Sequence, residues 1–288
     1  MTRNGVTFNV LSLGAGVQST ALYLKFARGE MPEKLDAAIF ADTQDEPAAV
    51  YAHLEWLRSL NGPPILTGTA GKLSEDLKHG RNTTGGRFAS IPAFTTPDGG
   101  ATVGITRRQC SKEYKTEVIG KVLRREVLGL SPGRSPRGVT VNQFIGISLD
   151  EAGRALRLQR AAPPPKYIER RFALIEQNET RAGCLTYLAD KVPHQTPRSA
   201  CKFCPYHNDY EWHRQKTEHP DEFADSCAVD ESLRAKGSVV NRQMDQVLYL
   251  HRSCRPLSEV TFDPSPPKPR EVQLAMNFLP ECEGVCGV

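Results

Sequence analysis

The stretch VLSLGAGVQSTAL, Val10 to Leu22, constrains the fold of this chain more than any other. A β-branched apolar run, TFNVLSL, ends in Gly14, Ala15 and Gly16, and a partial helical stripe follows at once in QSTALYLKFARGE. The chain therefore opens as strand, tight turn and helix. The same alternation returns in DAAIFAD, PAAVYAHLEWLRSL and PPILTGT, and again in EVIGKVLRREVLGL, VTVNQFIGIS and EAGRALRLQR, with KYIERRFALIE as a further strand. Near-continuous apolar strands separated by helices predict an α/β fold with a doubly wound, mostly parallel sheet covered on both faces.

At 288 residues the chain is long enough for one sizeable core with a smaller appended region. The α/β pattern predicts one domain over residues 1–178. From 179 to 288 the pattern is mostly helical and cysteine-bearing, ending in the Gly-containing, flexible tail ECEGVCGV. Between Gly80 and Thr106 the composition predicts a long loop or loose hairpin. No internal repeat is visible. Lys plus Arg number 37 against 33 Asp plus Glu, a net +4 that suits an anionic ligand without marking a dedicated DNA-coating protein. No secretory signal and no membrane-length apolar run is present, so a soluble, cytoplasmic protein without membrane partners is expected. Eight cysteines in such a setting point to metal ligation, redox work or burial rather than to a disulfide framework.

A glycine turn that leaves a strand and opens a helix offers backbone N–H groups and a positive dipole end, which suit phosphate. A P-loop is excluded, because Val17 and Gln18 stand before Ser19 where Gly-Lys is required. A dinucleotide fingerprint fits at Gly14, Gly16 and the distant Asp42, but Ser19 occupies the third glycine position. A turn that holds no ligand is the plain alternative.

Asp42 ends a buried strand, where it would hold ribose hydroxyls or Mg²⁺, or would cap the next helix. Asp150, Glu151 and Arg154 follow the VTVNQFIGIS strand to the same sheet edge; Asp150 also suits a helix cap. Arg107, Arg108, Lys112 and Lys115 bracket Cys110, where they would bind oxyanions and keep a thiolate ionised. The pair Cys201 and Cys204 in CKFC can grip one metal or one cluster corner. Adding Cys110 and Cys184 gives four thiolates for a [4Fe–4S] cluster, Cys184 with His207 gives a tetrahedral zinc set, and buried or redox-active thiols need neither. Cys227 and Cys254 read as core. Cys282 and Cys286, in a tail too Gly-rich to bury them, are candidate reactive thiols.

Several stretches together resemble one family. LSLGAGVQST resembles the pyrophosphate loop of the PP-loop ATPases in register: Gly16 and Ser19 match, while Gly14, Ala15 and Gln18 replace the usual Ser, Gly and Asp. FADTQDE (40–46) looks like the strand-end Asp-Thr motif of the phosphoadenosine phosphosulfate reductase family, and RRQCSKEYK (107–115) like its arginine-cysteine-serine segment. GISLDEAGR (146–154) and PRSACKFCPYHNDYEWHRQK (197–216) are similar to the versions in a reductase-like branch common in bacteria and their phages, as is the final ECEGVCGV. The resemblance covers nearly the whole chain.

It implies an adenine nucleotide α-hydrolase-like fold with ATP or a sulfonucleotide bound by Ser12, Gly14, Ala15, Gly16, Gln18, Ser19, Asp42, Thr43, Arg108, Asp150, Glu151 and Arg154. It also implies Lys115, Cys282 and Cys286 as catalytic groups, with Cys286 the resolving thiol, a [4Fe–4S] cluster on Cys110, Cys184, Cys201 and Cys204, and a place for Mg²⁺. Gln18 removes the carboxylate such a loop uses for magnesium. The implied activity is adenylation of an acceptor coupled to sulfur transfer, the acceptor being a tRNA, a DNA or a small metabolite, with a sulfur donor or thiol reductant protein as partner. Two alternatives are sulfonucleotide reduction with release of sulfite, and a non-catalytic nucleotide- or nucleic-acid-binding module with a structural metal. Turnover separates the last from the others.

Overall fold

The computed structural model describes residues 5–80, 91–96, 103–106, 108–161, 163–235 and 246–266. Five strands form one parallel sheet: β1 (Val6–Leu13), β2 (Ala37–Asp42), β3 (Ile65–Thr69), β6 (Val139–Ile145) and β7 (Ile168–Arg171), in the order β3-β2-β1-β6-β7. The remaining strands, β4 (Phe94–Thr95) and β5 (Gly104–Ile105), make a two-residue antiparallel ladder inside the segment expected to be a loose hairpin. The chain first winds outward from β1 to β3 and then returns to β6 on the other side of β1. The C-terminal ends of β1 and β6 therefore flank the switch point, where open α/β sheets leave a crevice.

The strands alternate between two cores, as a period of two demands. Leu11, Leu13, Ala38, Phe40 and Phe144 face one core with α1 (Val17–Ala27), α2 (Ala48–Ser59) and α7 (Arg181–Leu188). Val10, Ile39, Ala41 and Val141 face the other, against Val118, Ile119, Val122 and Leu123. Those four belong to one helical stretch, Ser111–Val127, in which α4 (Glu117–Val122) is flanked by π-helical turns. On the same side α5 (Ala152–Ala161) packs Ala155 and Leu158 on Ile145 and Ile147. The fold is α/β with a doubly wound parallel sheet and a helical C-terminal region containing several cysteines.

KYIERRFALIE divides into β7 and a single turn, α6 (Ala173–Glu176), because Phe172 turns into the core beside Ile147. A further core joins α3 (Leu73–Lys78) and Tyr114 to Cys201, Phe203, α8 (Asp209–Glu218) and α9 (Pro220–Arg234), with Trp212 fully buried in it. Elements on both sides of residue 178 thus share two of these cores: α7 lies under the sheet with α1, whereas α3 lies with α8 and α9. No helix among the described residues is long and apolar enough to cross a membrane.

One approach fixes the crevice. A Cβ on Gly146, just past β6, would lie 2.8 Å from the backbone nitrogen of Ser19 and 3.0 Å from its Cα, in the first turn of α1. Backbone cannot yield as a flexible side chain can. Gly146→Ala should therefore push α1 from β6 and cost about 1–3 kcal/mol, read as a lower urea midpoint with an unchanged m-value.

Candidate functional site at the C-terminal sheet edge

The turn that opens α1 is held by its own serine. Ser19 Oγ accepts from the backbone N–H groups of Gly14 (3.3 Å) and Gly16 (3.2 Å). Between them Ala15 takes φ +57°, the left-handed region, which costs a non-glycine residue about 1–2 kcal/mol. This is the position where the resembled loop carries glycine. All six residues from Gly14 to Ser19 are buried. Ser12 faces β6, where its hydroxyl accepts from Gln143 Nε2 at 2.9 Å.

Gln18 is fully buried and held from two sides. Its Nε2 donates to Glu151 Oε2 (2.8 Å), and its Oε1 accepts from Arg181 Nη1 (2.8 Å). Glu151 in turn pairs with Arg154 at 3.0 Å, and Asp150 Oδ1 accepts from the backbone N–H of Arg181 at the start of α7. Asp150, Glu151 and Arg154 thus reach the edge of the first turn of α1, joined by Arg181. Asp150 thus binds the first N–H of α7, which Thr180 caps, rather than capping its own helix. A carboxamide whose oxygen is taken by a guanidinium is a poor magnesium ligand, so the residues at this turn do not fit Mg²⁺.

A second cluster sits past the end of β2, the neighbour of β1. Asp42 Oδ1 accepts from the backbone N–H of Gln44 (2.7 Å) and from Tyr51 OH (2.9 Å), and burial together with that carboxylate pushes the Tyr51 hydroxyl up from its usual pKa. Asp42 therefore closes a turn instead of capping α2. Thr43 is fully buried, and its Oγ1 lies 3.3 Å from Cys201 Sγ and 3.2 Å from Glu46 Oε1. Glu46 Oε1 also pairs with Lys115 Nζ at 3.0 Å, both side chains being almost wholly buried. Glu46 Oε2 is buried without a hydrogen-bond partner among the described residues. Asp45 meanwhile ties the start of α3: it accepts from the backbone N–H (2.7 Å) and the Oγ (2.9 Å) of Ser74, while burial pushes its carboxyl up.

Cys110, Cys201 and Cys204 line one cavity of about 20 Å³ with Arg108, Phe203 and Pro205. Arg108 also stacks on Tyr206 at 5.4 Å. Cys184 does not join them. It is fully buried on α7 in the core beneath α1, one helical turn before Leu188. His207 packs edge-on against Trp212 at 4.8 Å, and burial pulls its imidazole down to about 4. Among the described residues no three His, Cys, Asp or Glu side chains gather as a metal-binding group. The described cysteines therefore do not fit the four-thiolate cluster or the zinc set. Lys112 is exposed, and Cys227 and Cys254 are half-buried with thiols pushed up by burial. Cys282, Cys286 and Arg107 lie outside the described residues.

Sequence reasoning did not single out Glu46, Tyr51, Arg181 or His53 as site groups. His53 is fully buried on α2, hydrogen-bonded to Thr20 of α1 (2.9 Å) and to His194 (2.8 Å), and burial pulls it down to about 4. Compared with known proteins, the chain matches no family model, no curated protein and no solved structure.

Lys115→Met leaves the Glu46 carboxylate buried beside Thr43 and Cys201 without its cation. The loss should be about 3–5 kcal/mol, and Lys115→Met/Glu46→Leu should recover most of it, because exchanging both partners removes the uncompensated charge. Urea denaturation of the two variants checks this, and a single variant as stable as wild type would contradict the arrangement.

Proposed function

We propose that the chain is a nucleotide-binding enzyme of PP-loop type that activates an acceptor with ATP and delivers sulfur to it. The observation that supports this reading is the convergence of two groups on one sheet edge. The glycine turn ends β1 at the switch point, and the Thr43–Cys201–Glu46–Lys115 cluster follows the adjacent β2. In the first turn of α1 the Val17 and Gln18 amides have no intrahelical acceptor, which suits them to phosphate oxygens. The half-buried Arg181, hydrogen-bonded to Gln18, is the cation placed to follow a phosphate there.

In this chemistry an acceptor oxygen attacks the α-phosphorus of ATP and expels pyrophosphate, whose charge the amides stabilise. The terminal sulfur of a persulfide carried by a donor protein then attacks the activated carbon and displaces AMP, and a second thiol attacks the carrier's inner sulfur, which frees the thiolated acceptor and leaves a disulfide. Cys201, packed between a hydroxyl and the buried Lys115–Glu46 pair, is a thiol on the same edge to relay that sulfur. No step here uses a metal.

A second reading, reduction of a sulfonucleotide, is favoured by one feature: Gln18 supplies no carboxylate for a metal at the turn. There a cysteine thiolate attacks the nucleotide's sulfur, displaces the nucleoside phosphate and keeps the sulfonate. A second thiol attacks the cysteine sulfur, releasing sulfite and leaving a disulfide.

Gly16→Val places a branched side chain against the phosphate position. Calorimetric affinity for ATP and for adenosine phosphosulfate should fall at least a hundredfold with an unchanged circular dichroism spectrum, and EDTA should change wild-type affinity less than twofold. Equal binding by Gly16→Val would remove the turn from the site. Release of pyrophosphate from ATP or of sulfite from the sulfonucleotide then separates the two readings.

A further inference from the structure

The net charge of the chain is +4, and a single stretch of eighteen residues, 121–138, carries that much by itself. It holds Lys121, Arg124, Arg125, Arg134 and Arg137 against Glu126 alone, and the next acid in sequence is Asp150. The rest of the molecule is balanced. The cations of this stretch gather at one pole of the sheet, opposite the glycine turn. Val118, Val122 and Leu123 of the helical stretch face the core, which leaves Lys121 and Arg125 exposed and Arg124 half-buried at its end. Arg124 Nη2 then donates to the carbonyl of Arg134 at 2.6 Å, folding the loop back onto the helix.

The loop ends where Gly138 accepts from the backbone N–H of Val6 (3.1 Å), at the N-terminal end of β1, and Arg137 stands exposed two residues before β6. Lys166, also exposed, stands two residues before β7. β6 and β7 run parallel with Val141 opposite Ile168, so Lys166 extends the same row of charge beside the start of β6.

Their grouping sets these six side chains apart. Several cations elsewhere meet carboxylates: Arg28 with Glu30, Lys78 with Glu75, Arg214 with Glu218, Arg252 with Asp209. Lys121, Arg124, Arg125, Arg134, Arg137 and Lys166 make no ion pair among the described residues. The nearby acids do not neutralise them: Asp36 is turned to the Asn9 amide (2.7 Å), while Glu126 and Glu169 are exposed singly.

We infer that this pole, built from the end of the 111–127 helical stretch, the 128–138 loop and Lys166, is a docking surface for the phosphate backbone of a double-stranded nucleic acid. Four of the six cations are arginines, whose planar donor fork matches phosphate oxygens in pairs. Ser131 and Ser135, exposed in the same loop, add hydroxyl donors of the kind that fix register on a backbone. Among the described residues Val6 is the single large hydrophobic side chain standing well exposed here, too little apolar surface to anchor in a lipid interface. The seven residues of β6 separate this pole from the glycine turn by about 23 Å. Contacts here hold the nucleic acid without reading its bases. The inference rests on charge placement and stands apart from the nucleotide reading of the opposite edge.

The test uses the full chain and fluorescein-labelled RNA and DNA duplexes of about 20 base pairs, with anisotropy read across a potassium chloride series. Wild type should bind at least one duplex at low salt, with affinity falling steeply as salt rises. Lys121→Ala/Arg125→Ala/Arg137→Ala/Lys166→Ala should weaken binding more than tenfold and flatten the log–log salt slope by about 3.6, about 0.9 for each phosphate contact removed. The melting temperature should be unchanged, since these side chains are exposed and unpaired. Arg28→Ala/Arg214→Ala/Arg252→Ala, which removes paired cations elsewhere, should bind as wild type does. The inference is overturned by absence of salt-dependent duplex binding, by equal weakening in both variants, or by flotation with phosphatidylserine vesicles without duplex binding.

Discussion

The buried ion pair of Lys115 and Glu46 is the contact on which the arrangement of the C-terminal edge depends. Lys115 comes from the helical stretch that covers one face of the sheet, Glu46 from the loop past β2, and Cys201, 3.9 Å from Glu46 Oε1, from the cysteine-bearing region. Two opposite charges withdrawn from water tolerate little displacement, because the attraction that offsets their desolvation needs close geometry. Thr43 adds a directional hydrogen bond at the same oxygen. Residues 155 positions apart in the chain are thereby set beside one another at the end of the strand adjacent to the glycine turn.

On the other side of β1 a second polar network does the corresponding work. Gln18, Glu151, Arg154 and Arg181 tie α1 to the α5 and α7 starts, and Gly146 lets β6 approach closely enough for those bonds to form. A buried network whose members are mutually bonded specifies one geometry, whereas a bare apolar contact would allow sliding. The crevice between β1 and β6 thus has fixed walls. Its chemical character also follows: with the carboxamide of Gln18 engaged by a cation, the turn presents positive rather than negative groups to an anion. The opposite pole of the sheet is positive for a different reason, an excess of unpaired arginine and lysine on the surface.

The fold was legible because its signals are local. Apolar runs such as DAAIFAD and VTVNQFIGIS form β2 and β6, and the glycine turn lies between β1 and α1 as the strand–turn–helix pattern requires. The site was legible only where its residues fall in one segment. Asp150, Glu151 and Arg154 share a turn and an edge, but Arg181 reaches Gln18 from 163 positions away, and nothing local to ETRAGCLTYL announces that contact. Glu46 lay inside a quoted motif, yet its value comes from Lys115, 69 positions distant. Cys184 carried a usable signal: with Leu188 four residues on, it forms an apolar stripe, and the structure buries both beneath α1. The grouping of four cysteines weighed residue type above that periodicity.

Central to the proposed function is the sharing of the C-terminal edge by a nucleotide site and a thiol site. It is tested most directly by alkylating the protein with iodoacetamide, with and without saturating ATP or adenosine phosphosulfate, and following each cysteine by peptide mass spectrometry. Bound nucleotide should slow modification of Cys201 and Cys204 at least fivefold while Cys227, half-buried on α9, and Cys254, half-buried in the loop after it, react at unchanged rates. Nucleotide that binds tightly yet leaves Cys201 and Cys204 reacting as before would contradict it.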